Sequence, residues 1–264
     1  MAFARIKGRL VHWRDYGPRC APCVVMVNSL GTDLRIWDEV SAALSAHWRV
    51  IAYDKRGHGL SETDAGSYSI SDLADDLLAL IDHLDVERFA LVGLSIGGMI
   101  GQVLGSRSPQ RLSALVLVDT APKVGTPDSW GERIHAIERG GLEAIADPVM
   151  ERWFTPGFRA AQPDQVSGWR NAFVLQSAAG YISTCNALRT ADLSSHVAGI
   201  SVPTLVVAGD SDLATPPKLV EAMALKIPRA RFELIEKCGH IPPIEQPERL
   251  SKLVSGHIRE HGHG

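Results

Sequence analysis

Cysteine is scarce: four in 264 residues, Cys20, Cys23, Cys185 and Cys238. The one close pair, Cys20-Ala21-Pro22-Cys23, has redox or zinc spacing. It sits in a Pro/Gly-rich turn ahead of an apolar run, not at a helix start where a dipole would lower a thiol pKa. No second close pair completes a zinc site. A surplus of one charge is also missing. With 27 Lys and Arg against 30 Asp and Glu, the net charge is −3. That gives no electrostatic footing for nucleic acid or an anionic membrane. No apolar stretch approaches the ~18 residues of a membrane span. The opening Met1-Ala2-Phe3-Ala4-Arg5-Ile6-Lys7 has no apolar core of a secretory signal, so the expected location is the cytoplasm. There is no Gly-Lys-Ser/Thr phosphate loop and no metal-ligand cluster. Gly97-Gly98-Met99-Ile100-Gly101 lacks the G-x-G-x-x-G order of a dinucleotide site. No cofactor and no metal are expected, and no internal repeat is visible.

What the chain has is a rhythm. Hydrophobic residues are 45% and charged residues 22%, an ordinary composition with enough apolar mass for one large domain or two small ones. Residues 3–16 alternate weakly around a break at Gly8, as in a hairpin. Cys23-Val24-Val25-Met26-Val27-Asn28, Arg49-Val50-Ile51-Ala52-Tyr53, Arg88-Phe89-Ala90-Leu91-Val92 and Ser113-Ala114-Leu115-Val116-Leu117-Val118 read as strands covered on both faces. Between them, helical spacing predicts helices over 34–46, over 70–84 with Ser71 as cap, and over 96–107. Strands alternating with helices imply βαβ units and a mostly parallel, doubly wound α/β sheet. The rhythm breaks from 122 to 198. Helical stretches such as 131–138 and 142–154 dominate there, with Trp130, Trp153 and Trp169 among them. Strand, helix, strand, helix then resume at 202–209, 217–226, 230–235 and 246–260. The expected organisation is a core of 1–121 and 199–264 interrupted by a helical cap insertion, 122–198. His261-Gly262-His263-Gly264 reads as a frayed tail.

Gly93-Leu94-Ser95-Ile96-Gly97 falls between a strand and a helix. A serine on so sharp a turn, with glycine two residues away on each side, matches a nucleophile elbow. A serine hydroxyl needs a neighbouring base at neutral pH, usually histidine. In an open parallel sheet the active groups sit on loops beyond the carboxyl ends of the strands. His240, in Lys237-Cys238-Gly239-His240-Ile241-Pro242-Pro243 after the last strand, fits, with His58 as the rival. The acid that orients the imidazole is Asp212, after the strand ending at Gly209, with Asp119 as the rival. Acyl transfer also needs donors for the oxyanion. These are the amide of Ile96, after the nucleophile, and that of Leu30 in the loop Asn28-Ser29-Leu30-Gly31.

These stretches together resemble the α/β-hydrolases, and within them the 3-oxoadipate enol-lactonase family. The resemblance runs through Asn28-Ser29-Leu30-Gly31-Thr32-Asp33-Leu34 with Trp37, Asp54-Lys55-Arg56-Gly57-His58-Gly59, and Gly93-Leu94-Ser95-Ile96-Gly97-Gly98. In the insertion it is carried by Glu151-Arg152-Trp153-Phe154-Thr155-Pro156, Gly180-Tyr181, and the segment from Cys185 to Leu193. The resemblance implies an α/β-hydrolase fold, a triad of Ser95, Asp212 and His240 in the order nucleophile, acid, base, and oxyanion donors Leu30 and Ile96. It implies a small-molecule lactone as substrate: the enol-lactone of the β-ketoadipate pathway, opened to 3-oxoadipate. Ile96 stands where related sequences often carry methionine, and the His240-Ile241-Pro242-Pro243 loop is unusual. A general carboxylesterase or a cofactor-free perhydrolase on the same scaffold is the first alternative, and a binding protein with a vestigial triad the second. An enol-lactone with a free carboxylate requires at least one cation or strong donor in a largely apolar pocket. The insertion offers Arg133, Arg139, Arg152, Arg159, Arg170 and Arg189. Arg133, one helical turn from Trp130, is the expected partner of the carboxylate, with Trp153 as the apolar wall.

Overall fold

The chain opens with two strands that use the tightest available turn. β1 (Ala2–Ile6) and β2 (Arg9–Tyr16) pair antiparallel with Ile6 opposite Arg9. The two residues between them, Lys7 and Gly8, both have positive φ, 48° and 84°. That is the mirror-image turn whose twist matches a hairpin. The computed structural model describes residues 1–63 and 66–261.

The apolar runs become β3 (Cys23–Val27), β4 (Arg49–Tyr53), β5 (Phe89–Leu94), β6 (Leu112–Val118) and β7 (Thr204–Gly209), each buried at every position. The more exposed β8 (Arg231–Ile235) closes the edge. The sheet has eight strands in the order β1-β2-β4-β3-β5-β6-β7-β8. β2 joins β4 antiparallel, and every pair from β4 to β8 is parallel. Parallel strands buried on both faces need helices above and below. Those of the first half are α1 (Asp38–Leu44), α2 (Ile70–His83) and α3 (Ile96–Arg107). Then come α4 (Pro127–Gly140), α5 (Ala146–Trp153), α6 (Pro156–Ala161), α7 (Pro163–Val174), α8 (Ala178–Thr190) and α9 (Ser194–Val197), all between β6 and β7. α10 (Pro217–Ala224), α11 (Pro242–Glu245) and α12 (Pro247–His261) complete the chain.

The buried residues between β6 and β7 join the same hydrophobic core as the sheet. α4 packs on α8 and α5 on α7. Trp153, Phe173 and Tyr181 meet edge to face, with ring centroids 5.7 and 5.5 Å apart. Such pairs add to plain area burial. Among the described residues, no helix is long and apolar enough to cross a membrane.

Three local expectations differ from the structure. The helix over 34–46 is divided into a 3-10 turn, Leu34–Trp37, and α1, because the Leu34 amide donates to Asp54 and the Arg35 amide to Asp33. The cap of α2 is Ser69, not Ser71. Ser69 and Asp72 exchange bonds in a capping box, which requires an extended residue three before an acceptor. His261 ends α12 instead of fraying, and residues 262–264 lie outside the described residues.

Candidate active site

Parallel strands put their carboxyl ends on one edge, and that edge gathers the chemistry. β5 leads directly into Ser95, whose φ is 56° and ψ −115°. A non-glycine residue there is strained and must be held by its surroundings. Its amide donates to Val118 O at 2.9 Å, and its carbonyl accepts the Thr120 hydroxyl at 2.7 Å. The flanking glycines are steric necessities. A Cβ on Gly93 would collide with the Gly97 carbonyl, and one on Gly97 with the Val27 carbonyl.

His240 and Asp212 are hydrogen-bonded, Nδ1 to Oδ2, at 2.8 Å, and both are buried. Asp212 Oδ2 also accepts the Thr215 hydroxyl at 2.7 Å, and Oδ1 accepts the Ala214 amide at 2.7 Å. Burial alone would raise this carboxyl. The facing imidazole and these donors outweigh it and hold Asp212 below the usual carboxylate range. A carboxylate on Nδ1 leaves Nε2 as the basic nitrogen. His240 is held from behind as well, since its amide donates to Trp153 O at 2.9 Å. Ser95 and His240 line one cavity of about 360 Å³. Among the described residues no hydrogen bond joins the Ser95 hydroxyl to the imidazole; such bonds often tighten only around a bound reactant.

The rivals sit elsewhere. Asp119 is fully buried, its Oδ1 accepts the Gly209 amide at 2.8 Å, and its Oδ2 has no partner. Burial, then the charge of Asp212, pushes its pKa well above the ordinary value. His58 is buried away from the cavity, with Nδ1 near Arg56 O at 3.1 Å. Burial and Lys55 push its pKa well down, which keeps it neutral.

Leu30 and Ser29 line the same cavity. Neither the Leu30 amide nor the Ile96 amide donates to a protein acceptor among the described residues. Leu30 lines the cavity with Ser95, and Ile96 follows Ser95 directly in the chain. Most of the rest of the wall comes from α4, α5 and α8, with Val124, Gly125, Ile145 and Ala214 beside them. Arg133 and Trp153 both line the cavity. The Arg133 guanidinium lies 5.2 Å from the Trp130 ring centroid and donates to the Tyr181 hydroxyl at 3.2 Å. Burial pushes that phenol up to about 12, so it is protonated.

Arg152 is the residue that sequence reasoning left among several candidates. It also lines the cavity and makes no ion pair among the described residues. Its side chain stays partly open to solvent. Even so, partial desolvation, then the charge of Arg133, lowers its pKa from the usual guanidinium value. Glu132 lies on the same wall without pairing to either arginine. The other arginines are accounted for or point away. Arg170 is bound to Glu143 and Asp147, Arg159 faces Glu151 at 3.8 Å, and Arg139 and Arg189 are exposed on the last turns of their helices.

Cys20 is exposed and Cys23 buried at the start of β3, both as free thiols, and burial pushes the Cys23 thiol up to about 12. Among the described residues, no group of three or more His, Cys, Asp or Glu side chains could hold a metal ion.

Against known proteins, residues 24–253 match the model of the alpha/beta hydrolase family. The chain is 35% identical to 3-oxoadipate enol-lactonase 2 of Acinetobacter baylyi, over 92% of its own length and 91% of that protein's. It is 33% identical to 3-oxoadipate enol-lactonase 1 of the same organism, over 96% and 94%. Among solved structures it is similar to the enol-lactonase from Burkholderia xenovorans, with a TM-score of 0.95 and 38% identity, covering 98% of this chain and 100% of that one.

Proposed function

Since the chain belongs to the alpha/beta hydrolase family, alongside the 3-oxoadipate enol-lactonases, and is a carboxylic ester hydrolase acting on a small molecule, we propose that it opens 3-oxoadipate enol-lactone through Ser95, His240 and Asp212. The Ser95 hydroxyl attacks the lactone carbonyl while His240 Nε2 takes its proton. Asp212 fixes the tautomer and stabilises the imidazolium. The Leu30 and Ile96 amides receive the oxyanion of the tetrahedral intermediate. As that intermediate collapses, the ring C–O bond breaks. His240 returns its proton to the departing enolate oxygen, and the enol becomes the ketone. The acyl group is now an ester of Ser95. Water, deprotonated by His240, attacks it, and the acid is released with the serine hydroxyl restored.

The observation that carries the choice of substrate is the pair Arg133 and Arg152, two cations on the wall of the cavity that holds Ser95 and without carboxylate partners among the described residues. A neutral ester has no use for them, whereas a lactone bearing a carboxylate does. The test is turnover of freshly generated enol-lactone by the purified protein, beside neutral esters of similar size. Faster kcat/KM on the charged lactone is expected. Ester turnover without lactone turnover would make the protein a general carboxylesterase. No turnover, and no labelling of Ser95 by an active-site phosphonate, would leave a binding protein.

A further inference from the structure

Lys55 follows β4 in Asp54-Lys55-Arg56-Gly57-His58-Gly59, and its side chain is among the largest that are fully buried. Its Nζ donates to one acceptor among the described residues, the main-chain carbonyl of Ser29. An amine withdrawn from water is costly and is retained where it does something an apolar stem cannot. Here burial lowers its pKa well below that of ordinary lysine, with Asp54 and Asp33 opposing the shift. Charged or neutral, it offers an N–H.

The Ser29 carbonyl belongs to the same peptide unit as the Leu30 N–H. No peptide bond among the described residues is cis. In a trans peptide the C=O and the N–H point in opposite directions. Lys55 lies on the core side and does not line the cavity, whereas Ser29, Leu30 and Ser95 do. A carbonyl pinned toward the core therefore turns its amide partner toward the cavity. The Thr32 hydroxyl donates to the same carbonyl at 3.0 Å and shares the task. Donors on a peptide carbonyl also polarise the N–H at its other end.

We propose that Lys55 is a positioning residue of the oxyanion hole: it holds the Ser29 carbonyl from behind and so aims the Leu30 N–H at the carbonyl oxygen of a substrate on Ser95. This rests on the reading of Ser95 as the nucleophile. Lys55 touches no reacting atom and acts through one peptide plane.

Lys55→Met keeps the stem and removes the donors. With p-nitrophenyl acetate as substrate, kcat should fall about 10-fold or more, below the ~10²–10³ seen when an oxyanion donor is lost outright. KM should stay within threefold. Affinity for phenylboronic acid, which forms a tetrahedral adduct on the serine, should weaken by the same factor as kcat. Melting temperature should not fall, because an apolar side chain suits the site. Thr32→Val should act in the same direction by about threefold. If Lys55→Met does not fold, Thr32→Val decides, and its unchanged kcat then overturns the assignment. A folded Lys55→Met with unchanged kcat and boronate affinity, or a loss confined to KM, overturns it as well. Failure of the nucleophile reading looks different: the wild-type protein itself would neither hydrolyse the ester nor be labelled by a phosphonate.

Discussion

Ser95 occupies a conformation that a serine holds only when its neighbours enforce it, and the enforcement comes from backbone, not from its hydroxyl. Ser95→Ala should therefore fold with an unchanged melting temperature and lose turnover by several orders of magnitude, leaving what binding and the oxyanion donors supply. Ordinary turnover in the folded variant would remove Ser95 from the mechanism. The two aspartates separate by environment. Asp212, held ionised by His240, Thr215 and Ala214, should cost about 10⁴ in kcat as asparagine, because the wrong tautomer then faces the serine. Asp119, pushed toward its protonated form by burial, is in that form close to an asparagine in charge and shape. Asp119→Asn should change kcat little and should alter how stability depends on pH. A carboxyl whose folded pKa is raised stays protonated in the fold while the unfolded chain releases its proton above about 4. Its contribution to stability is complete below the unfolded pKa and is lost as pH rises toward the folded value. The asparagine variant has no such loss. Thermal melts of the two proteins should diverge in favour of Asp119→Asn as pH rises above about 4, at up to about 1.4 kcal/mol per pH unit. Parallel curves would mean that Asp119 is ionised in the fold.

The loop that carries His240 is fastened to the helical segment between β6 and β7 at the end of α5. Glu245, the last residue of α11, accepts the Gly239 amide at 2.7 Å and the Thr155 amide at 3.0 Å, and also binds the Thr155 hydroxyl. A carboxylate facing three donors suits that place, while a glutamine must turn an NH₂ toward at least one of them. Glu245→Gln should lower kcat by about three- to tenfold and stability by about 1–3 kcal/mol, the cost of leaving a donor unpaired. A lower melting temperature with unchanged kcat would show that the clamp supports the fold and not the base. Little of this clamp was legible in the sequence. Strands β3 to β7 were legible because continuous apolar runs bounded by small residues have few other uses, and Ser95, Asp212 and His240 because each follows a strand end. Helix starts were less so. Ser69 and Ser71 are equally good caps by composition, and only the reach of Asp72 back to Ser69 separates them. Lys55 and Glu245 were invisible for a related reason. Each acts through a main-chain group of a distant segment, and no spacing rule pairs a side chain with a carbonyl or an amide 26 or 6 residues away.

At the scale of the molecule, residues at the carboxyl edge of the sheet and the helices α4, α5 and α8 line one cavity, so under the proposed mechanism specificity falls to a part of the chain that takes no role in bond breaking. Sequence periodicity placed six arginines in that part without saying which face the cavity. Arg133 and Arg152 do, from different helices, and their packing decides it where helical spacing within either one could not. Two guanidinium groups on one wall repel each other, and after desolvation the charge of Arg133 is the second cause that lowers the pKa of Arg152. An anion bound between them relieves that repulsion and gains charge-assisted hydrogen bonds from both. Arg133→Ala should raise KM for the charged lactone by about 10-fold or more, the loss of one such bond, and leave neutral ester hydrolysis almost unchanged. Arg152→Ala should do the same with a smaller effect, since its side chain is more open to solvent and its charge better screened. The double variant tests whether the two act on one carboxylate. Groups that share a ligand are coupled, so the combined loss should differ from the product of the single losses, whereas independent sites would multiply. Equal losses on the charged lactone and the neutral ester would show that the arginines support the helical wall and not the ligand. Unchanged kinetics on both would remove the carboxylate from this part of the cavity and, with it, the reason for preferring the lactone.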